Sequence, residues 1–527
     1  MNEQSQAEVI SFLSDERNLP GHAPVEVIRT HGAVVFLSGA TAYKIKRDVR
    51  YDYLDFSTLQ KREDMLLREL ELNAPTAPSI YRDVIAVTRD SAGALQLGGK
   101  GDVVEWVLRM HRFDAADELD KVAARGALDD RMAVKLGQVI AGYHANAPRR
   151  TGVPGAELMD AIRDELNTAF ATMTGDLDAS QIEQYRLATD HVFQSVRALL
   201  NGRGTRGHVR RCHGDLHLRN LVLIDDVPTP FDALEFDEAL GTCDVLYDLA
   251  FLLMDLRHNG LERAANITLN AYLQHADCID HYASLQLLPL FLSVRAAILS
   301  MVIVQTARFN PDDDTLLPQA RKYLSSALAY LDPAPVQLIA VGGLSGTGKT
   351  VLATALAPQI GAAPGAVHLR SDLERKTLFG VSPQTVLPQS AYGSGVNARV
   401  YDIMRDKAHE VLSSGHSVIV DATWLSEDER VQLPALATKF GARFTGFWLV
   451  ADPSILEPRI AARRGDASDA DVTVMRKQAA HAHAPATWTQ VDASGSPDET
   501  LIRANRCLLG ARMSETARQV AKGRHDA

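Results

Sequence analysis

Residues 343–350 read Gly343-Leu-Ser-Gly-Thr-Gly-Lys-Thr350. The apolar run Gln337-Leu-Ile-Ala-Val-Gly342 precedes them, and an Ala/Leu-rich segment follows. The order is buried strand, glycine loop, helix, which is the setting a phosphate-binding loop requires. Gly343, Gly346 and Gly348 let the backbone curl so that its N–H groups, across Ser345 and Thr347, turn inward toward phosphate oxygens. The helix N-terminus adds partial positive charge. Lys349 is placed to reach the β- and γ-phosphates of ATP, and the Thr350 hydroxyl to hold Mg²⁺. A glycine-rich turn with a chance lysine is the plain alternative; the flanking strand and helix argue against it. The motif starts at residue 343 of 527, so something else must occupy the long stretch before it.

Length alone predicts two or three domains, each with room for a core. Hydrophobic residues make up 46% and charged residues 23%, an ordinary soluble globular composition. The net charge of −11 argues against a broad nucleic-acid surface, though not against a local basic pocket. Cys212, Cys243, Cys278 and Cys507 have no short paired spacing, so neither a disulfide frame nor a zinc site is expected. The first residues are polar and acidic, unlike a secretion signal. A cytoplasmic protein without membrane partners is the reading. The most apolar stretch, about 285–304, is interrupted by Pro289 and Arg295 and reads as a buried helix.

Leu331-Asp-Pro-Ala-Pro335 is a proline-punctuated connector, and it predicts two separable halves. The first spans 1–332. Within it, strand-like runs between about 25 and 110 surround one helix from about 58 to 73, and 115–330 is mainly helical. The second spans 336–500, and 501–527 reads as a terminal helix and tail.

The chemistry of the first half centres on His213-Gly-Asp-Leu-His-Leu-Arg-Asn220, then an apolar hairpin, then Phe231-Asp-Ala-Leu-Glu-Phe236. Asp215 on a loop can orient and deprotonate an attacking hydroxyl; Asn220, five residues on, and Asp232, beyond the hairpin, can share a metal. Alone, each reads as a turn residue; the combination is far more specific. This segment resembles the aminoglycoside phosphotransferase branch of the protein-kinase-like fold, over roughly residues 25–330. The resemblance implies an α+β bilobal domain in which a strand lysine contacts the phosphates and pairs with a helix glutamate. The strand Thr41-Ala-Tyr-Lys-Ile-Lys46 offers Lys44 and Lys46, both on one face. Glu69 is the expected partner and Glu63 the alternative. Residues 105–110 are expected to join the lobes. The chain departs from the protein-kinase pattern in lacking a Gly-x-Gly-x-x-Gly cover and in having Ala233 after Asp232. Asp244 and Asp248 are expected to support the metal loop.

In the second half, strands end at Val367-His-Leu-Arg-Ser-Asp372 and Ser417-Val-Ile-Val-Asp-Ala-Thr423, and a further strand is Phe444-Thr-Gly-Phe-Trp-Leu-Val450. Strands alternating with helices imply an α/β P-loop NTPase domain with a doubly wound parallel sheet, its ligands at the strand carboxyl ends. Asp372 is the candidate for orienting an acceptor hydroxyl and Asp421 for Mg²⁺; helix capping is the plain alternative for each. Arg459, Arg463 and Arg464 could close over the phosphate, Arg463 being the catalytic candidate among them, or they are a solvated helix face. This half resembles small P-loop kinases of the gluconate-kinase, polynucleotide-kinase and zeta-toxin type. The whole chain resembles bacterial two-domain proteins that fuse the two folds. The resemblance implies a kinase for small-molecule hydroxyl acceptors with two Mg·ATP sites. A regulatory NTPase, in which one site gates the other, and a toxin-like or nucleic-acid-end kinase are the other two readings.

Overall fold

The computed structural model describes residues 3–51, 54–462, 467–480 and 482–509. They fall into two compact units, Met1–Ile162 with Leu200–Asp255 and Arg163–Leu199 with Leu256–Ala527.

The first unit holds a six-stranded antiparallel sheet in the order Val25–Arg29, Ala33–Ser38, Thr41–Lys46, Asp102–His111, Tyr81–Arg89, Leu95–Leu97. Alternation sorts its two faces. Val34, Phe36, Tyr43 and Ile45 point one way into a core closed by Val9 and Leu13 of the helix Glu3–Ser14. Nothing in the first residues announced this helix, whose mean hydropathy is modest. Lys44 and Lys46 point the other way, toward the helix Leu59–Asn73, which starts at an N-cap where Thr58 Oγ1 accepts from Lys61 N. Residues 105–110 are not a connection between lobes. They lie inside the strand Asp102–His111, paired with Tyr81–Arg89 along their length and from Leu108 onward with Thr41–Lys46 as well, and the chain leaves the sheet only after His111. Beyond it, the hairpin Leu221–Ile224/Val227–Pro230 turns at Asp225 and Asp226 with φ of +50° and +60°, left-handed values that suit a tight two-residue turn.

The second unit is built on a five-stranded sheet in the order Val367–Arg370, Val418–Asp421, Gln337–Gly343, Arg443–Val450, Thr489–Asp492, every pair parallel. Its central strand is buried throughout, as the unbroken apolar run 337–342 requires of a strand covered on both faces. Residues 497–509 form a helix that sends Ala504 and Leu508 into the core behind this sheet; residues 510–527 lie outside the described residues. The apolar stretch becomes the helix Leu288–Phe309, with Pro289 in the first turn, where proline is tolerated. By length and composition it could cross a bilayer, yet 72% of its apolar window is buried inside the protein. It lies against Leu316–Tyr330, to which Ser293 and Ser300 donate hydrogen bonds at the Ala327 and Ala320 carbonyls.

Phe291 on this helix has no exposed surface. Phe291→Ala is expected to cost about 3–5 kcal/mol, measured as a lower midpoint in urea unfolding. A helix lying in a bilayer rather than in a protein core would show no such loss in detergent-free buffer.

Candidate functional site

The sequence motifs gather into two places, one per unit. In the first, Glu69 has no exposed side-chain surface and stands between both lysines: Lys44 Nζ is 2.7 Å from Oε1 and Lys46 Nζ 2.6 Å from Oε2. Each lysine then reaches a second carboxylate, Lys44 to Asp232 at 2.7 Å and Lys46 to Glu235 at 2.6 Å. Glu63 takes no part; its side chain accepts instead from Gln60. The exposures separate the lysines. Lys46 is 4% exposed and Lys44 12%, while Asp232 keeps 43% of its side chain open. The open end of the network is therefore Lys44 with Asp232.

Asp232 is held in a left-handed turn, φ +58°, by Tyr81, whose hydroxyl accepts its backbone N–H, while Asn73 accepts from Ala233 N. Burial opposes charge on Asp232, but Lys44 outweighs it and holds the carboxyl at about 2. Burial likewise opposes charge on Lys44, and Asp232 and Glu69 override it to push its pKa well up.

Asp215 lies on the neighbouring loop. Asn220 Nδ2 donates to Asp215 Oδ2 at 2.9 Å and again to its carbonyl, and His217 Nε2 stands 3.3 Å from Oδ2. Two backbone bonds lock this loop to the loop of Asp232, Phe231 N to Asn220 O and Leu234 N to His213 O, both at 3.0 Å. Asp248 fixes the loop from behind by accepting from His213 N and Gly214 N, with His144 Nε2 at 3.1 Å. Asp244 binds the buried Arg203. The roles expected for Asp215, Asn220 and Asp232 need them on adjoining loops, and so they are. Glu235, Tyr81, Asn73 and His217 escaped the sequence reading. Glu235 stood inside the quoted segment, and its spacing of three from Asp232 was the available signal; Tyr81 and Asn73 gave none.

In the second unit the P-loop takes its expected form. Gly343, Gly346 and Gly348 have φ of +134°, +88° and +87°, and the helix Lys349–Leu356 begins directly after. At Gly346 a Cβ would stand 3.0 Å from Ile460, so space as well as backbone conformation favours glycine. Thr350 Oγ1 donates to Asp421 Oδ2 at 2.6 Å. Lys349 Nζ rests on the Leu344 carbonyl at 2.9 Å, Thr347 Oγ1 on the same carbonyl at 2.8 Å, and Ser345 N–H on Gln478 Oε1 at 2.9 Å. A cavity of 1410 Å³ opens here, lined by Lys349, Thr350, Asp372, Arg375, Asp421 and Arg459 among others. It exceeds the roughly 300–1,000 Å³ of most small-ligand pockets, leaving room for a nucleotide and an acceptor together. Burial raises the Asp372 carboxyl. Asp421 is lowered against its burial by His368, whose Nε2 is 3.4 Å away, and by Lys349. Arg459 is committed to the carbonyls of Ala493 and Gly495. Arg463 and Arg464 lie outside the described residues.

Residues 59–288 match the family model described as the phosphotransferase enzyme family, and residues 338–485 match one described as an AAA domain. The chain is thus similar to the phosphotransferase family over one stretch and to an AAA domain over another. The two matches together support an ATP-dependent kinase activity. An uncharacterized protein of Mycobacterium tuberculosis is 28% identical over 488 residues, covering 91% of this chain and 94% of its own, and one of Mycobacterium bovis matches to the same extent. Among solved structures, a choline/ethanolamine kinase family protein from Mesorhizobium loti is similar over 62% of this chain and 95% of its own, at 16% identity and a TM-score of 0.39. A gluconokinase from Sinorhizobium meliloti is similar over 35% of this chain and 95% of its own, at 20% identity and a TM-score of 0.26.

The charge on Asp232 has a pH signature in the phosphotransferase domain. Its folded pKa, about 2, lies below the ordinary 3.8, so its contribution to stability is complete above 3.8 and is lost as pH falls through about 2. Wild type and Asp232→Asn should therefore differ in unfolding midpoint by a constant amount near neutrality, and the gap should close between roughly pH 4 and pH 2. A gap that closed near pH 6 would mean that another group carries the effect.

Proposed function

We propose that the chain is a bifunctional kinase that phosphorylates hydroxyls of small, sugar- or polyol-like metabolites at two Mg·ATP sites. The observation that carries the reading is the Lys44–Asp232 end of the buried network meeting the Asp215–Asn220 loop. It brings together one candidate phosphate-binding cation on a strand and, on two adjoining loops, two metal-ligand candidates and one candidate hydroxyl-orienting carboxylate. Of the two lysines, Lys44 takes the phosphate role, because it is the more open and already touches Asp232. Lys46 with Glu235 braces Glu69 from the far side.

The donor sets suit Mg²⁺, a hard cation that takes oxygen ligands. Asn220, with Nδ2 committed to Asp215, has its amide oxygen for the ion, and Asp232 supplies a carboxylate. In the P-loop domain, Thr350 and Asp421 are paired oxygens 2.6 Å apart. Bound Mg²⁺ would supply charge neutralisation on the transferring phosphoryl group. The side chains do the rest. Asp215, steadied by Asn220 and His217, accepts the acceptor's hydroxyl proton and aims its oxygen in line. Asp372 does the same in the P-loop domain, where its raised pKa suits a base working closer to neutrality. Such transfer depends on positioning more than on covalent help from the protein. Domains of 1–332 and 336–500, a C-terminal helix and tail over 501–527 and a cytoplasmic setting complete the proposal.

Two nucleotide equivalents per chain are expected in calorimetry with a non-hydrolysable ATP analogue, falling to one in Lys349→Ala. One equivalent that survives Lys349→Ala would remove the P-loop site from the proposal. Asp215→Asn should lose phosphotransferase-domain turnover by about 10²–10⁴-fold, the usual worth of a general base, while nucleotide still binds. Near-wild-type transfer by that variant, followed by mass spectrometry of a phosphorylated metabolite extract, would reassign the base. An ATPase that no metabolite stimulates in either domain would favour the regulatory NTPase.

A further inference from the structure

The helix Glu262–Ala276 lies inside the stretch that matches the phosphotransferase family, yet its amide side chains are turned to the P-loop sheet. The strand Val367–Arg370 is an edge of that sheet, paired on one side only. An edge strand leaves backbone groups that something must cover. Here His368 N–H donates to Asn270 Oδ1 at 2.7 Å. The Ala366 carbonyl accepts from Asn266 Nδ2 at 3.0 Å and from Asn270 Nδ2 at 3.3 Å. Asn266 is 1% exposed, and a Cβ on Gly365 would stand only 2.8 Å from its Nδ2, so the contact is close and shaped on both sides.

The residue held at this edge is connected to the chemistry. The His368 ring approaches Asp421, which takes the Thr350 hydroxyl. A second contact reaches the other half of the cavity. Asp277, just past the same helix, and Glu374 both bind the Lys407 ammonium, at 2.9 and 2.8 Å, beside the Tyr282 ring. Glu374 shares the helix Ser371–Leu378 with Asp372 and Arg375. One helix of the phosphotransferase match therefore grips the strand behind the metal-site carboxylate and, through Lys407, the helix that carries the acceptor-site carboxylate.

We propose that Asn270 and Asp277 are positioning residues of the P-loop site, so that this site is completed by a helix from outside its own family segment. The inference rests on the phosphoryl-transfer reading of the P-loop domain given above. It runs against the separability that the connector at 331–335 suggested, because a cut there removes both grips. Plain edge protection would predict lost stability with unaltered kinetics, and that difference makes the idea testable.

The experiment is steady-state Mg·ATP hydrolysis by the full-length chain, with the portion removed by Lys349→Ala taken as P-loop turnover, and a thermal melt of every variant. Asn270→Leu, which is close in size but cannot bond His368, should lower kcat about ten-fold, as losses around metal ligands commonly do, and raise KM for Mg·ATP. Asn270→Asp keeps an acceptor for His368 N–H and should restore most of the rate. Asp277→Asn should lower kcat with KM for Mg·ATP unchanged, because it acts on the helix of Asp372 rather than on the metal side. Variants that melt earlier but keep wild-type kcat and KM would overturn the inference, as would Asn270→Asp behaving like Asn270→Leu. If Asn270→Leu does not fold, the kcat and KM of Asp277→Asn decide alone. If Lys349→Ala removes no turnover, the phosphoryl-transfer reading of this domain fails and the inference falls with it.

Discussion

Glu69 is a carboxylate with no exposed surface, and that single fact constrains most of the phosphotransferase domain. An isolated buried charge is too costly to keep, and removing one partner from a buried pair typically costs about 3–5 kcal/mol. Glu69 therefore needs its lysines, and the strand must deliver them. Two-residue periodicity puts Lys44 and Lys46 on the Glu69 side while Tyr43 and Ile45 fill the opposite core, so a one-residue slip would bury both lysines in apolar packing. The network then extends outward. Three carboxylates, Glu69, Asp232 and Glu235, face two ammonium groups, leaving a net negative charge at the Asp232 end, which suits a metal cation.

On the proposed reading, the P-loop domain would hold phosphate by a different device: positive charge from backbone N–H groups and the first turn of a helix, so that glycine conformation rather than an ion pair sets the geometry. Its two carboxylates sit in environments that push them apart: burial raises Asp372, and His368 and Lys349 keep Asp421 charged. Such a split is how one site holds both a proton acceptor and a metal ligand.

The sheets and both phosphate motifs were legible because each is local. The P-loop is eight consecutive residues, and the Asp215, Asn220 and Asp232 set spans one loop and one hairpin. The lysine face followed from strand periodicity, but the choice between Lys44 and Lys46 did not, since it depends on which second carboxylate each meets 188 or 189 residues away. Residues 105–110 were misread for a related reason. Nothing local distinguishes a strand end from its middle, and only the pairing with Tyr81–Arg89, joined from Leu108 by Thr41–Lys46, shows that the chain has yet to leave the sheet. The role of Asn270 was invisible from sequence, because an asparagine on a helix shows its partner only when a sheet edge lies against it.

Both sites share one further property: several of the groups that would bind ligand already have partners. Lys44 holds Asp232, Thr350 holds Asp421, Lys349 rests on the Leu344 carbonyl, and Ser345 N–H is taken by Gln478. On the proposed reading, nucleotide binding would be an exchange, in which Lys44 gives up Asp232 for a phosphate oxygen and Asp232 is freed to hold the metal. Affinity in such a site reflects the difference between old and new partners rather than the sum of the new contacts. Pairing with Glu69 and Asp232 also keeps the buried Lys44 ammonium from standing unsatisfied.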